Sequence, residues 1–281
     1  MKILITGGAG FIGTNLAKKL LGHGHAITVV DNYTTGTVDN QIPGVSYHTW
    51  DITDTHDYER LGVFDAVYHL AAIARIQPSF TDPSNYFAVN AAATFPLAQY
   101  CSHTKTPLIY AGSSSHHSGK FKNPYTFSKA IGEDILKLHE QHFGLKVTIA
   151  RFYNVYGPHH LKSGGYCTLI GAWENRIEND LPLVIYGDGS KRRDFTHVDD
   201  IVEGLINILY KNVWGHILEL GRGENYSILQ IARMFNREIT YGEDKPGEAQ
   251  ETLCDTTLAQ QLIDWRPKKN IKDYIQNYLH A

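Results

Sequence analysis

Tyr125 and Lys129 stand four positions apart in a stretch of helical spacing that runs to about Phe143. Residues at i and i+4 share a helix face, so a phenol and an ammonium are brought together. The ammonium favours the phenolate and draws the phenol toward a working pH, which makes the pair a base for a hydroxyl proton. A Tyr and a Lys at this spacing also occur by chance on solvated helices. Here a serine run, Gly112-Ser113-Ser114-Ser115, ends the apolar strand Leu108 to Ala111 shortly before them.

The elements that must position these groups begin at the N-terminus. Lys2 to Thr6 is an apolar strand, Gly7-Gly8-Ala9-Gly10-Phe11-Ile12-Gly13 a glycine-rich turn, Thr14 to His23 a helix, and Ala26 to Val30 a second strand closed by Asp31. Glycine at positions 7, 10 and 13 permits a tight turn, backbone approach to a pyrophosphate and close helix packing. The diphosphate then sits over the helix N-terminus, and Asp31 accepts hydrogen bonds from both hydroxyls of an adenine ribose. Asp31 repels a 2′-phosphate, and no Lys or Arg lies between Asn32 and Asn40, so the pattern specifies NAD rather than NADP. A merely structural turn is the bland alternative; the flanking strands, the helix and the acid weigh against it.

The 281 residues suffice for one large or two smaller domains. A net charge of −3 gives no electrostatic footprint for nucleic acid. No apolar run approaches the roughly 18 residues of a membrane span, and Met1 abuts the first strand, so a cytoplasmic protein without a leader is expected. The three cysteines lack metal or disulfide spacing, and His23/His25 and His139/His142 have no Cys or carboxylate cluster beside them, so no metal site is expected.

Further strands are expected at Val45 to Thr49, Ala66 to Leu70 and Val147 to Arg151. A helix is expected from Pro83 to about His103, with Asn90 and Thr94 on one face and a kink or break at Pro96. Helices at Thr168 to Asn179 and His197 to Tyr210 follow, with strands at Leu183 to Tyr186 and His216 to Leu220, the last returning to the main sheet. The loop from Gly187 to Arg193 holds two glycines and three cations; it suits a second phosphate, or is simply a solvated basic loop. The fold class expected is α/β, a Rossmann-type doubly wound parallel sheet with a smaller mixed C-terminal lobe. Residues 1–156, rejoined by about 195–220, form the dinucleotide-binding domain, and 157–194 with 221–281 the lobe.

The spacing GxxGxxG after Thr6, the serine run, Tyr125 with Lys129, and Phe152-Tyr153-Asn154-Val155-Tyr156-Gly157-Pro158 resemble the extended short-chain dehydrogenase/reductase superfamily, nearest its nucleotide-sugar epimerases and dehydratases. The similarity covers essentially the whole chain. It implies that NAD is bound by Gly7, Gly10, Phe11, Ile12, Gly13, Asp31 and Asn32, with Asp51 and Ile52 at the adenine. A polar strand end is the alternative for that pair. It further implies Leu70, Ala71 and Ala72 under the diphosphate, Asn90 in the cofactor site, and Ser113, Tyr125, Lys129 and Phe152 around the nicotinamide. Ser114, five positions before Gly119, takes the role of catalytic serine, with Ser115 its rival. Ser114, Ser115, His116, Asn154 and Arg193 face the substrate, a UDP- or dTDP-linked sugar, with Asn154 and Arg193 on its diphosphate.

The implied chemistry is oxidation of the sugar 4-hydroxyl to a ketone. Dehydratases of the family carry Asp and Glu after the reactive serine, where this chain has Ser115 and His116; decarboxylases carry Glu at the position of His116. Epimerisation at C4 is therefore favoured by subtraction, with dehydratase or decarboxylase as alternatives. His117-Ser118-Gly119 replaces the usual Val-Tyr-Gly, the segment from Gly119 to Tyr125 is short, and His116 has a pKa suited to either acid or base. A non-catalytic NAD-binding sensor is the reading from another class; such proteins usually lose the Tyr or the Lys. A homodimer through the helix bearing Tyr125 and the helix before it is expected by analogy.

Overall fold

The computed structural model describes residues 1–54 and 58–280. Its centre is a seven-stranded, wholly parallel sheet built from β1 (Lys2–Thr6), β2 (Ala26–Asp31), β3 (Ser46–Thr49), β4 (Ala66–His69), β5 (Leu108–Ser113), β6 (Val147–Phe152) and, after a short β7 (Val155–Tyr156), a late strand at His216–Leu220. The spatial order is His216–Leu220, β6, β5, β4, β1, β2, β3. The order reverses between β1 and β4, and in open sheets of this kind the ligand crevice lies at the carboxyl ends of the strands beside that reversal. Strand residues such as Ile3, Leu4, Ile5, Val67 and Tyr68 are fully buried, as parallel strands covered on both faces must be.

Helices cover the sheet. On one face α1 (Phe11–Gly22) packs with the helix at Val198–Tyr210, joining Leu16, Leu20, Ile201 and Leu205 in one core. On the other, after the short α2 (Ile76–Thr81) and α3 (Pro83–Phe87), lie α4 (Thr94–Thr104) and α5 (Pro124–Phe143), which contribute Leu97, Cys101 and Leu136 to a second core. The remaining elements are α6 (Leu169–Glu178), β8 (Leu183–Tyr186), β9 (Arg192–Asp194), β10 (Thr196–His197), α7 (Val198–Tyr210), β11 (His216–Leu220), β12 (Asn225–Ser227), α8 (Ile228–Met234), β13 (Ile239–Gly242), α9 (Thr257–Ile263) and α10 (Ile271–His280). Trp173, Leu183, Ile185, Phe195, Phe235 and Ile275 form a third core among them. The last residue of the expected lobe, Ala281, lies outside the described residues.

The helix expected from Pro83 to His103 is divided, but not at Pro96. α3 ends at Phe87, a π-helical turn spans Ala88–Ala92, and α4 begins at Thr94. Pro96 is then the third residue of α4, in the first turn, where a backbone N–H has no intrahelical acceptor and its absence costs little. The break therefore falls upstream of the proline. α1 starts at Phe11, earlier than the apolar spacing indicates, because Gly10 with φ −81° and ψ 179° is its N-cap.

Candidate active site

The groups expected to do chemistry collect at the carboxyl edge of β1, β2, β4, β5 and β6. After β1 the chain turns at Gly7 with φ +75°; a Cβ there would lie 2.6 Å from the Ala71 nitrogen, so only glycine lets this turn pass the segment after β4. A Cβ on Gly13 would lie 2.1 Å from the Gly7 carbonyl oxygen, which fixes α1 close under the turn. On Gly10 the nearest atom to a Cβ is 3.3 Å away, and this open side at the start of α1 is where a diphosphate fits. Phe11 and Ile12 follow, half-buried. The Ala71 N–H reaches Thr6 Oγ1 at 3.3 Å, and Leu70 and Ala72 flank it. Asp31 ends β2 with its carboxylate buried, accepting from the Ala9 N–H at 2.9 Å and the Tyr33 N–H at 2.8 Å. Asn32 donates to Asp51 at 2.8 Å, while Ile52 is buried beside Tyr58 in the second core. The glycine cradle, the acid at the end of β2 and the small residues after β4 together fit a dinucleotide.

Asn90 belongs to the framework of this edge. It is buried, its amide oxygen accepts from the Ile73 N–H at 2.8 Å, and its nitrogen donates to the Ile73 carbonyl and to Ser128 Oγ, both at 3.0 Å. It thereby ties the loop after β4 to α5.

α5 starts on a proline at its first position, and the Asn123 side chain caps it by accepting from the Thr126 N–H at 2.8 Å. Tyr125 is half-buried at this end, edge-on to Tyr86 with ring centroids 6.2 Å apart. Ser113, the last residue of β5, acts on the Tyr125 phenol and draws its pKa down. Ser113 is also paired with Ser115, Oγ to Oγ 3.0 Å. Ser114 instead opens onto a cavity of about 550 Å³, which Tyr153 and Thr252 also line. The structure thus brings Ser113, not Ser114, to the phenol.

The electrostatics differ from the expected ones. Burial is the largest influence on Tyr125 and raises its pKa; Ser113 and the Arg75 guanidinium pull it down, and Glu133 adds to the rise. In this structure Lys129 is not among the charges that shift the phenol. Its Nζ is buried 4.1 Å from the centroid of the Tyr110 ring, and burial lowers its pKa to about 7, with Glu133 opposing. Removing an ammonium from water costs more than a neighbouring ring returns. The cation beside Tyr125 is Arg75, whose Nε donates to the Tyr166 carbonyl at 3.1 Å.

Phe152 ends β6, half-buried. Asn154, at φ +29°, donates to the Asp194 carbonyl at 3.0 Å and Thr252 Oγ1 at 3.2 Å. Arg193 in β9 is ion-paired with Glu248 at 3.0 Å. His116 lies 3.6 Å from Glu133, and burial is the chief reason its pKa is lowered. The sequence pattern does not place Arg75, Glu133, Arg151 or Glu219 at the site, marks His117 only as a departure from the family's Val-Tyr-Gly, and marks Glu248 only as structural. Glu133 was detectable, four residues beyond Lys129 on the same helix face. Arg151 and Glu219 are neighbours only through the parallel register of β6 and β11.

A parallel sheet with this order, a glycine cradle at its reversal, and a phenol with a buried lysine at its carboxyl edge define a dinucleotide-dependent enzyme of the Rossmann class. Residues 3–221 match the model of the NAD dependent epimerase/dehydratase family, and the chain belongs to that family. It is 28% identical to a putative UDP-glucose 4-epimerase of Methanocaldococcus jannaschii, over 99% of this chain and 97% of the relative. To a UDP-N-acetyl-alpha-D-glucosaminuronate decarboxylase of Bacillus cytotoxicus it is 30% identical, over 87% and 82%. Among solved structures, UDP-glucuronic acid 4-epimerase of Bacillus cereus, in complex with UDP-glucuronic acid and NAD, superposes with a TM-score of 0.90 at 28% identity, over 100% and 99%. The cofactor is NAD. Among the described residues no helix is long and apolar enough to cross a membrane, and no group of His, Cys, Asp and Glu is arranged to hold a metal.

Proposed function

We propose that this enzyme interconverts C4 epimers of a nucleoside-diphosphate sugar, UDP- or dTDP-linked, in cytoplasmic carbohydrate metabolism. The observation that carries the reading is the Tyr125 phenol, whose pKa the serine at the end of β5 draws down, beside a turn that holds Ser115 and His116 instead of an acid pair. NAD, when bound, would supply the acceptor and donor for the hydride of the sugar carbon. Tyr125 as phenolate removes the proton of the 4-hydroxyl, and Ser113 and Ser114 hydrogen-bond the same oxygen. Lys129 holds the nicotinamide ribose, and its ammonium, once a polar ligand replaces the Tyr110 ring as its neighbour, favours the phenolate. The cavity beside Ser114 leaves room for the 4-keto sugar to turn and present its other face. Asn154 and Arg193 serve the diphosphate; the pairing of Arg193 with Glu248 means that the diphosphate exchanges one anionic partner for another. Residues 157–194 and 221–281 act as the nucleotide-sugar lobe.

The working form is a homodimer through α4 and α5, a proposal supported by Phe95, Leu138 and Phe143, large apolar side chains exposed on those helices. A second reading, decarboxylation of a uronate sugar, draws on Arg75 near Tyr125, because a guanidinium pairs with a carboxylate. The test is a proton NMR time course with NAD and a panel of UDP- and dTDP-sugars. A new anomeric signal for the C4 epimer, reduced about 1,000-fold or more in Tyr125→Phe, is the expected result. A new methyl group means dehydration, release of carbon dioxide from UDP-glucuronic acid means decarboxylation, and tight NAD binding without turnover means a sensor.

A further inference from the structure

The turn after β5 carries a second reactive group beside Ser114. Ser114–Ser118 is a 3₁₀ helix, and residues three apart in such a helix eclipse one another. His117 therefore follows Ser114 on one face, and both line the cavity that Tyr153 and Thr252 enclose. One 3₁₀ turn rises about 6 Å, a separation that a single sugar ring bridges. The His117 side chain keeps 55% of its surface exposed and its Nε2 is 3.0 Å from Glu219 Oε1. Glu219 is anchored by Arg151 Nη1 at 3.2 Å, and Arg151 by Glu133 through bonds of 2.6 and 3.1 Å. Arg151 and Glu133 are buried. The Tyr153 ring stacks against the imidazole at 6.4 Å. On the far side His116 approaches Glu133, not the cavity-side carboxylate. A carboxylate on one imidazole nitrogen fixes the tautomer and orientation of the ring and leaves the other nitrogen for chemistry. Exchange of a hydride at C4 makes no use of such a pair.

We infer that His117, oriented by Glu219, is an acid–base residue that exchanges the proton on a carbon flanking C4 when C4 is a ketone. The inference rests on the keto-sugar reading above. His117 Nδ1 takes the proton from C3 or C5, the electron pair of that C–H bond forms a double bond to C4, and the carbonyl electron pair moves onto O4. The hydroxyl groups of Tyr125 and Ser113 hydrogen-bond the resulting enolate oxygen. Return of a proton from the imidazole to the same face restores the ketone and, in deuterium oxide, leaves solvent deuterium on that carbon. Nothing is oxidised or reduced, and no group leaves. The site then exchanges a proton on a carbon next to C4 as well as a hydride at C4.

The probe is UDP-4-keto-6-deoxyglucose, supplied preformed to the NAD-saturated protein in deuterium oxide, with proton NMR reading the C3 and C5 signals. The expected result is loss of one signal about 100-fold faster than in buffer, falling to the buffer rate in His117→Gln. Glu219→Gln, which keeps a hydrogen bond to the ring without the charge, slows exchange about tenfold while leaving its dependence on sugar concentration in place, a split that a merely structural role does not give. Exchange by the unaltered protein no faster than in buffer overturns the inference, as does undiminished exchange in His117→Gln. The C4 epimer of UDP-glucose formed without any deuterium uptake removes this inference alone. Exchange on the keto sugar without turnover of any 4-hydroxy sugar removes the epimerase reading and leaves His117 in its role.

Discussion

At the scale of single residues, the site is governed by what burial does to charge. Lys129 has a pKa of about 7 in the folded protein against 10.5 for the free side chain, because burial penalises the ammonium. The unfolded chain therefore binds more protons between those values, and this residue's contribution to stability is lost as pH falls through about 7 and complete only above 10.5. Lys129→Met is expected to raise the melting temperature at pH 7 and to flatten its rise toward alkaline pH in a thermal-denaturation series, while turnover falls about 100-fold or more. A group proposed for catalysis and kept at a cost in stability is the usual trade-off. Arg75 acts in the opposite sense on Tyr125, lowering the phenol that burial raises. Arg75→Met is expected to move the rising limb of the kcat/KM pH profile to higher pH, and Arg75→Lys, which keeps a cation, to restore part of the shift.

At the scale of elements, the strand-turn-helix unit from β5 to α5 does the positioning. Asn123 caps α5 and donates from its amide to the Gly247 carbonyl at 3.1 Å, so one side chain sets both the start of the helix bearing Tyr125 and the position of the loop ahead of Glu248. Asn123→Ala is expected to cost about 1 kcal/mol in urea denaturation and to weaken substrate binding more than NAD binding, as separate titrations would read. The π-helical turn at Ala88–Ala92 plays a matching part, since it holds Asn90 where the amide reaches both Ile73 and Ser128. Such turns inside helices recur at functional sites.

At the scale of the whole molecule, Asp194 joins the late strands to the sheet. It is fully buried, and its carboxylate accepts the N–H groups of Arg222 at 2.7 Å, Gly223 at 2.8 Å and Cys254 at 3.1 Å. The segments that wall the cavity are thereby fixed to the end of β11. The proposed dimer depends on the outer faces of α4 and α5. Leu138→Glu on α5 is expected to halve the mass seen by analytical ultracentrifugation, because an exposed apolar side chain at a helical interface tolerates no unpaired charge; an unaltered mass with a folded spectrum removes the proposed dimer interface.

The sequence by itself determined the parts that depend on local spacing: the glycines after β1, Asp31 at the end of β2, the strand at His216–Leu220, and Tyr125 and Lys129 on one helix face. Periodicity and chain distance fix these, because each follows from the geometry of one turn, strand or helix. Tertiary structure alone decided which serine meets the phenol, that Arg75 and not Lys129 supplies its neighbouring charge, where the helix after Pro83 breaks, and that Arg151 and Glu219 lie side by side and hold His117. Each of these joins segments far apart in the chain, through strand register and through burial. Neither is written in the spacing of any one segment, since both exist only after the sheet has closed and water has been excluded from its edge.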